Sequence, residues 1–308
     1  MSEIEIPATM PYTYDEVKSC KEVSDKVLKQ DWANLCKFKA DTNPRTFAGN
    51  KIIYKWQLKN LLACRRGTKG YKTLEEWFAT EELRNQLWAE SVKRNRTDKI
   101  PYPCPTDVYE CHRLNKGAIC IFKSSTAKYL YKKFNATNIL DPTAGWGGRM
   151  LGASSLGIKY TGIDTNTEMV GAYDKFYEYG FADKDKHKMI WDSCFNVDFS
   201  KGEYDLVLTS PPYSNMEIYE HMSPWADDDT FYKDFMIPLL IKLNNEVKCP
   251  ICINISPKMY EAITTSYGVR ECDEKVDLRQ QLGKQFKTKS QDYIYIWTDI
   301  HPVLASGQ

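Results

Sequence analysis

The sequence predicts an α/β fold, a mainly parallel sheet flanked by helices, preceded by a mostly helical module. One observation is the stretch 138–164, which reads as strand, glycine-rich turn, helix and strand and ends on an acidic residue. Another is the stretch 204–213, in which an apolar strand runs directly into Ser-Pro-Pro-Tyr. The third is the helical spacing of apolar residues over 1–100, which lack strand alternation.

The first 100 residues are predicted to form helices. Apolar residues recur at helical spacing over 15–38, 52–62 and 74–92. Lysine and arginine outnumber aspartate and glutamate over 41–100, and aromatic residues stand among them. This composition suits contact with a nucleic-acid backbone, although a solvated helical appendage has much the same composition. The basic residues predicted to make this contact are Arg65, Arg66, Lys69 and Arg94.

A proline-marked linker at 100–104 predicts the main domain boundary. It separates the helical module, 1–100, from a second domain over 101–300, with 301–308 as a tail. The second domain begins with a strand or loop, followed by a serine and threonine N-cap and a helix.

The chain from 138 to 164 has the order that a nucleotide site requires. The first strand ends in Asp141, and the turn holds Gly145 and Gly147 ahead of a helix. Glycine lets a ligand approach the backbone, and the free N–H groups at a helix start favour anionic groups. Asp164 follows the turn by about 20 residues, the spacing that places a carboxylate on a nucleotide ribose. A tight turn that needs glycine only for structural reasons would read the same way.

The second stretch makes a ligand site the better interpretation. Residues 204–210 form an apolar strand that ends in Ser210, and Pro211, Pro212 and Tyr213 follow directly. Two prolines fix φ and remove two N–H donors, so the chain here is stiff and its carbonyls face outward. The alternative is an ordinary proline-rich loop.

The remaining elements complete an α/β unit. A strand at 188–191 is closed by Asp192, and a polar segment at 214–230 follows the proline tetrad. Loops after such strands often close over substrate, so Tyr219 and Trp225 are candidates for substrate contact. The other predicted elements are helices at 167–179, 230–244 and 257–265, a strand at 251–255, and a terminal antiparallel pair at 269–276 and 293–298.

The loop between the last two strands is a second candidate for nucleic-acid contact. Arg279, Lys284 and Lys287 alternate there with glutamines. Lysine and arginine hold phosphates, and glutamine reads base edges. A long solvated hairpin loop would have a similar composition.

Together, DPTAGWGG at 141–148 and TSPPY at 209–213 resemble the class I S-adenosylmethionine-dependent methyltransferases that methylate exocyclic amino groups, chiefly the DNA N4-cytosine and N6-adenine enzymes. The resemblance extends over about 117–298. It implies a Rossmann-like sheet, S-adenosylmethionine as cofactor and DNA as the first candidate partner. Ser210, preceded by threonine, favours cytosine N4, since aspartate or asparagine is more usual for adenine N6. The Asp-Pro form of the first motif also occurs in RNA and protein amino-methyltransferases, so an RNA base is an alternative substrate.

The resemblance also implies roles for individual residues. Ser210 Oγ and the Pro211 carbonyl would accept hydrogen bonds from the amino group of a flipped base, and Tyr213 would stack on it. Asp192 would accept a hydrogen bond from the cofactor adenine, although it also reads as a turn residue. The implied catalytic residues are Ser210, Pro211, Pro212 and Tyr213. The implied cofactor-binding residues are Phe122, Lys123, Asp141, Pro142, Thr143, Ala144, Gly145, Gly147, Asp164, Thr165, Asp192 and Ser193.

Composition limits the other classes. The chain has 308 residues and a formal net charge of +1, and no apolar stretch approaches the length of a membrane span. The N-terminus lacks a signal pattern, so we expect an intracellular protein, cytoplasmic or, in a eukaryotic or viral source, nuclear or in a viral factory. The ten cysteines are scattered, which predicts neither disulfides nor a metal site. A dinucleotide oxidoreductase would share the glycine turn but leaves the proline tetrad unexplained.

Overall fold

A single sheet organises the chain in the computed structural model. The structure describes residues 5–43, 46–67, 70–94, 102–115, 119, 121–214, 218, 225–278 and 293–298. Seven strands form the sheet within these residues: β1 Asn138–Asp141, β2 Lys159–Asp164, β3 His187–Trp191, β4 Leu206–Thr209, β5 Ile251–Ile255, β6 Glu274–Asp277 and β7 Tyr293–Trp297.

The strand order is β3-β2-β1-β4-β5-β7-β6. The first five strands in this order pair in parallel, which is the doubly wound arrangement with its reversal between β1 and β4. Strand β7 is inserted antiparallel between β5 and β6. The predicted α/β fold with a Rossmann-like sheet is therefore confirmed, as is the terminal antiparallel pair.

Helices cover the sheet and form the N-terminal module. Those before the sheet are α1 Tyr14–Ser19, α2 Asp25–Lys37, α3 Asn50–Ala63, α4 Leu74–Phe78, α5 Glu81–Arg94, α6 Pro105–Asn115 and α7 Ser124–Lys133. The helices that lie between the strands along the chain are α8 Gly148–Ser154, α9 Val170–Glu178, α10 Asp228–Phe231, α11 Ile237–Glu246 and α12 Pro257–Ser266. A π-helical turn, Tyr232–Met236, joins α10 to α11. Helix α6 was not predicted from the sequence.

Several predicted elements differ from the observed ones. The helix predicted over 15–38 is two helices, because Val17 of α1 packs in one apolar cluster while Leu28 and Leu35 of α2 pack in another. A straight helix could not reach both. The helix predicted over 74–92 is also two helices, α4 and α5, which pack in the same cluster. The strand predicted from 269 begins only at Glu274, which is where pairing with β7 starts.

Two apolar clusters lie on opposite faces of the sheet. Alternate strand residues serve each face, so Leu208 and Ile296 join one cluster while Val207 and Trp297 join the other. Helices α7, α8 and α9 contribute to the first cluster, and α10, α11 and α12 to the second.

Helix α3 connects the N-terminal module to the sheet. Ile52 and Ile53 belong to the cluster on the sheet, whereas Leu58 and Leu62 belong to a third cluster with α1, α4, α5 and α6. A helix that is apolar on more than one side is expected to be buried between neighbours. The first cluster therefore continues across residue 100, while the boundary predicted there stays a prediction.

The contact between α7 and α8 gives a test of this packing. A Cβ on Gly152 of α8 would lie 2.8 Å from the Ala127 Cβ and 2.9 Å from the Ser124 carbonyl oxygen. Gly152→Ala should therefore destabilise the protein by about 1–3 kcal/mol through overpacking, measured as a shift in the urea midpoint. Gly171→Ala in α9 is the matched control, because nothing lies within 4 Å of the added Cβ. It should be neutral or stabilise by up to about 1 kcal/mol. Equal effects of the two substitutions would contradict the tight α7–α8 contact.

Candidate active site

The candidate site lies at the carboxyl ends of β1, β2, β3 and β4, which are neighbours in the sheet. A cavity of about 680 Å³ is present there, a volume typical of small-molecule sites. Because parallel strands end at one edge, the residues that follow them meet around this cavity. Its lining includes Pro142, Thr143, Ala144 and Gly145 at β1, Asp164 and Thr165 at β2, Asp192 and Ser193 at β3, and Ser210, Pro211, Pro212 and Tyr213 at β4.

The glycine turn after β1 has a backbone that side chains would not tolerate. Gly145 and Gly147 have φ values of 59° and 93°. A Cβ on Gly147 would lie 2.5 Å from Phe176, and one on Gly148 would lie 2.1 Å from the Phe122 carbonyl oxygen. The turn thus requires glycine both for its positive φ angles and for its close packing. Gly147, predicted to bind cofactor, is not in the lining and packs against α9 instead.

A buried ion pair supports this turn from behind. Arg149 Nε donates to Asp141 Oδ2 at 2.6 Å, and Tyr160 Oη donates to the same oxygen at 2.6 Å. Arg149 Nη2 also donates to the Thr143 carbonyl. Burial and then the Asp141 charge raise the pKa of Tyr160 well above its ordinary value. Asp141 is fully buried and absent from the lining, so the structure places it as a support for the turn.

Asp164 closes the turn from β2. Its Oδ2 accepts from the Gly145 N–H at 2.8 Å, and its Oδ1 accepts from the Asn166 N–H at 2.9 Å. Burial raises the pKa of Asp164, and the two N–H groups act in the opposite direction. Each carboxylate oxygen has a second lone pair, so the side chain can accept further hydrogen bonds from a ligand in the cavity.

Asp192 is a turn residue and also lies in the cavity wall. Its Oδ1 accepts from the Ser193 N–H at 2.6 Å and from Asn196 Nδ2 at 2.8 Å, as a turn residue would. Asp192 and Ser193 nevertheless both line the cavity. The carboxylate is therefore held in a fixed direction at the cavity wall.

The proline tetrad is held by a hydrogen bond to β5 and, through the preceding threonine, by one to the glycine turn. Ser210 Oγ donates to Asn254 Oδ1 of β5 at 3.1 Å. The preceding Thr209 is fully buried, and its Oγ1 lies 2.6 Å from Thr143 Oγ1 in the glycine turn. The tetrad and the glycine turn are thereby connected directly. The backbone at the end of β4 is fixed relative to the end of β1.

Lys123 and Phe122 line the cavity as predicted candidates for the cofactor pocket. Lys123 Nζ donates to the Leu278 carbonyl at 3.5 Å and lies 4.5 Å from the centre of the Phe47 ring. Burial lowers the pKa of Lys123. A mostly buried ammonium in the wall favours an anionic or strongly polar group of the ligand.

Several lining residues were not predicted from the sequence. The N-terminal module contributes Phe47, Asn50, Lys51 and Tyr54, and α6 contributes Glu110 and Arg113. Strand β5 contributes Asn254, and the segment around the π-helical turn contributes Phe235. Phe235 packs edge-on against Trp225 and Phe195, each at a centroid distance of 5.7 Å. Trp225 was predicted as a substrate contact and lines the cavity.

Some of these residues carried a signal in the sequence. Asn254 is an amide in an otherwise apolar strand, at its carboxyl end. Arg149 follows two glycines at the start of a buried helix, where a guanidinium requires a carboxylate such as Asp141. Phe47 and Tyr54 carried none, because only the packing of α3 brings them to the cavity.

Arg65, Arg66 and Arg94, which are predicted to bind nucleic acid, lie outside the cavity lining. Arg65 is exposed and forms an ion pair with Glu76, and its backbone pairs with Ile218 through hydrogen bonds of 3.1 and 2.8 Å. Arg66 is half-buried and Arg94 is exposed on α5. Lys69, Tyr219, Arg279, Lys284, Lys287 and the tail 301–308 lie outside the described residues. Nucleic-acid contact stays a prediction for all of them.

In the described part of the chain, two other kinds of feature are absent. There, no group of three or more His, Cys, Asp or Glu side chains could hold a metal ion. In the same residues, no helix is long and apolar enough to cross a membrane.

No family model matches this chain, and no curated protein matches it. Several solved structures are nevertheless similar in fold. The structure of an RNA methyltransferase from Salinibacter ruber in complex with S-adenosyl-L-homocysteine is 17% identical and matches 59% of this chain and 94% of its own, with a TM-score of 0.37. TrmN from Thermus thermophilus is 14% identical over 57% and 48%, with a TM-score of 0.38. An rRNA methylase from Streptococcus thermophilus is 12% identical over 56% and 96%, with a TM-score of 0.36.

The buried Asp141–Arg149 ion pair is expected to contribute strongly to the stability of the protein. Arg149→Met should lower the free energy of unfolding by about 3–5 kcal/mol in urea titrations, because it leaves the Asp141 charge buried without its partner. Adding Asp141→Asn to this variant should recover part of the loss, since the uncompensated charge is removed.

Lys258→Met provides the control for this prediction. The Lys258–Asp228 pair has a similar N–O distance of 2.8 Å, but its side chains are 79% and 50% exposed. Its loss should cost less than about 1 kcal/mol. A similarly small effect of Arg149→Met would show that the turn does not depend on the buried pair.

Proposed function

We propose that this chain is an S-adenosylmethionine-dependent methyltransferase that acts on the exocyclic amino group of a nucleic-acid base. The observation that carries the proposal is that the glycine turn, Asp164 and the proline tetrad border one cavity of about 680 Å³. That volume is near the middle of the range for ligand pockets, about 300–1,000 Å³, and suits a nucleoside-sized cofactor beside a base. A methyl donor and an amine can therefore meet within it.

The polar groups of the cavity wall fit the cofactor. The carboxylate of Asp164 keeps acceptor capacity for ribose hydroxyls, and the positive-φ backbone at Gly145 allows close approach. Asp192 can accept a hydrogen bond from the adenine amino group, and the Lys123 ammonium can pair with the methionine carboxylate. When bound, S-adenosylmethionine supplies an electrophilic methyl group on its sulfonium.

The chemistry required of the protein is orientation of a poor nucleophile. The lone pair of a base amino group is delocalised into the ring, so it attacks only when the NH₂ group is held in the right direction. Ser210 Oγ and the Pro211 carbonyl accept hydrogen bonds from this group and align its nitrogen with the methyl group. Tyr213 stacks on the base, and the edge-on pair of Trp225 and Phe235 adds a second aromatic wall. Transfer is direct, without a covalent enzyme intermediate.

Cytosine N4 in DNA is the substrate that we propose first. The serine at the head of the tetrad supports it by resemblance, and a base inside a duplex must be flipped out to reach this cavity. Adenine N6 presents the same NH₂ group to the same acceptors. RNA is the alternative polymer, because the basic composition of the N-terminal module suits structured RNA as well as DNA.

The deciding experiment is nucleoside mass spectrometry after incubation of the protein and S-adenosylmethionine with unmethylated genomic DNA and, separately, with unmodified RNA transcripts. We expect N4-methylcytosine in DNA. N6-methyladenine alone would reject cytosine and keep the mechanism, and methyl groups found only in RNA would reject DNA. Binding of NAD in place of S-adenosylmethionine, measured by calorimetry, would reject the methyltransferase itself.

Ser210→Ala should separate chemistry from cofactor binding. The lost hydrogen bond orients the substrate amine, so kcat should fall roughly a hundredfold. The Kd for S-adenosylmethionine should stay within about threefold, because the hydroxyl does not hold the cofactor. The two constants are measured by single-turnover methyl transfer and by calorimetry. A parallel loss of both would place Ser210 in the cofactor subsite instead.

Asp164→Ala should weaken S-adenosylmethionine binding. Loss of a charged hydrogen-bond acceptor costs about 1.5–3 kcal/mol, which corresponds to roughly a tenfold to hundredfold increase in Kd measured by calorimetry. Asp174→Ala removes an exposed carboxylate from α9 and is the matched control, for which no change is expected. Unchanged affinity in the Asp164 variant would remove this carboxylate from the cofactor site.

A further inference from the structure

Asn254 occupies an unusual position for an amide side chain. It lies on β5 among three isoleucines and a cysteine, is only 6% exposed, and lines the cavity beside the proline tetrad. A buried amide must have its donor and acceptor groups satisfied, or it costs stability. Both ends of Asn254 do have partners.

The orientation of this amide is fixed by the neighbouring strand. Asn254 Nδ2 donates to the Tyr293 carbonyl of β7 at 3.1 Å. A carbonyl oxygen can only accept a hydrogen bond, so the amide nitrogen must face Tyr293 and the amide oxygen must face the opposite way. The reverse orientation would place two acceptor oxygens against each other.

The amide oxygen then determines where the serine proton points. Asn254 Oδ1 lies 3.1 Å from Ser210 Oγ. Because an amide oxygen can only accept, the Ser210 hydroxyl must be the donor in this contact. A hydroxyl has one proton and two lone pairs, so both lone pairs of Ser210 are left for other partners.

This arrangement matters for the proposed reaction. The NH₂ group of the base has two protons to donate and one nitrogen lone pair that must attack the methyl group. A hydroxyl free to rotate could donate its proton to that lone pair and block the attack. A hydroxyl whose proton is held by Asn254 can only accept from the NH₂ group.

We propose that Asn254 is a positioning residue that sets the Ser210 hydroxyl as a hydrogen-bond acceptor toward the substrate amine. This inference rests on the proposed function, since it concerns the same site. The chain of hydrogen bonds runs from the Tyr293 carbonyl through Asn254 to Ser210, and from there to the NH₂ group of the base. Asn254 itself does not touch the reacting atoms in this assignment.

A double-mutant cycle tests whether Asn254 acts through Ser210. In the wild-type background, Asn254→Ala should lower kcat roughly tenfold to a hundredfold, as a misoriented group does. KM for the nucleic acid and Kd for S-adenosylmethionine should change by less than about threefold. In the Ser210→Ala background, the same substitution should change kcat by less than about twofold, because the hydroxyl that it orients is already gone.

Asn254→Leu provides a second variant with the same number and branching of side-chain heavy atoms. It fills the space but has no acceptor for the Ser210 proton, so it should lower kcat as Asn254→Ala does. If the alanine variant does not fold, the leucine variant is used in both backgrounds of the cycle.

Cys252→Ala is the matched structural control. Cys252 lies two positions earlier on β5, is fully buried and is not part of the cavity lining. Its loss should lower Tm while leaving kcat within about twofold, because it perturbs β5 without contacting Ser210.

The outcomes separate this inference from the proposed function. A coupled cycle, with the effect of Asn254 lost in the Ser210→Ala background, supports the inference. Methyl transfer by the wild-type chain together with an additive cycle, or an equal loss of kcat in Cys252→Ala, overturns the inference alone. No methyl transfer to any base amino group by the wild-type chain overturns the proposed function and the inference with it.

Discussion

The buried pair of Asp141 and Arg149 is the interaction on which the rest of the site depends. Removing two charges from water is costly, and the cost is offset only when further hydrogen bonds satisfy both groups. Here Tyr160 donates to the same carboxylate oxygen, and the guanidinium also reaches the Thr143 carbonyl. The pair therefore joins β1, β2 and α8 at the point where the glycine turn leaves the sheet. The pair thereby stabilises the shape of the turn that lines the cavity.

The polar groups of the cavity wall are mostly engaged with the fold before any ligand arrives. Asp164 accepts the Gly145 N–H of the turn with one oxygen and the Asn166 N–H after β2 with the other, and Asp192 is held by Ser193 and Asn196. Ser210 is held by Asn254. Groups fixed in this way need little reorganisation when charge or a hydrogen-bond donor is presented to them. Such rigidity suits a reaction in which orientation is the main contribution of the protein.

The helical module takes part in the site as well as in the packing. Helix α3 buries Ile52 and Ile53 against the sheet cluster, and the adjacent Asn50, Lys51 and Tyr54 line the cavity. The other side of α3 packs on the third cluster, with α1, α4, α5 and α6. A change in the packing of the module can therefore reach the cavity wall through one helix. The helical module and the candidate active site are parts of one packed structure.

The sequence by itself determined the elements whose signals are local. Short apolar runs predict the strands that lead to Asp141, Asp164, Asp192 and Ser210. Glycines, which free the backbone, predict the turn, and prolines, which restrict it, predict the stiff tetrad. Strand order, and hence the meeting of these ends in one cavity, follows from pairing between distant segments. The helix break at 20–24 depended on which apolar cluster each half could reach. The hydrogen bond from Ser210 to Asn254, and the approach of α3 to the cavity, join residues far apart in the chain. No local pattern encodes such contacts, so only the tertiary structure decided them.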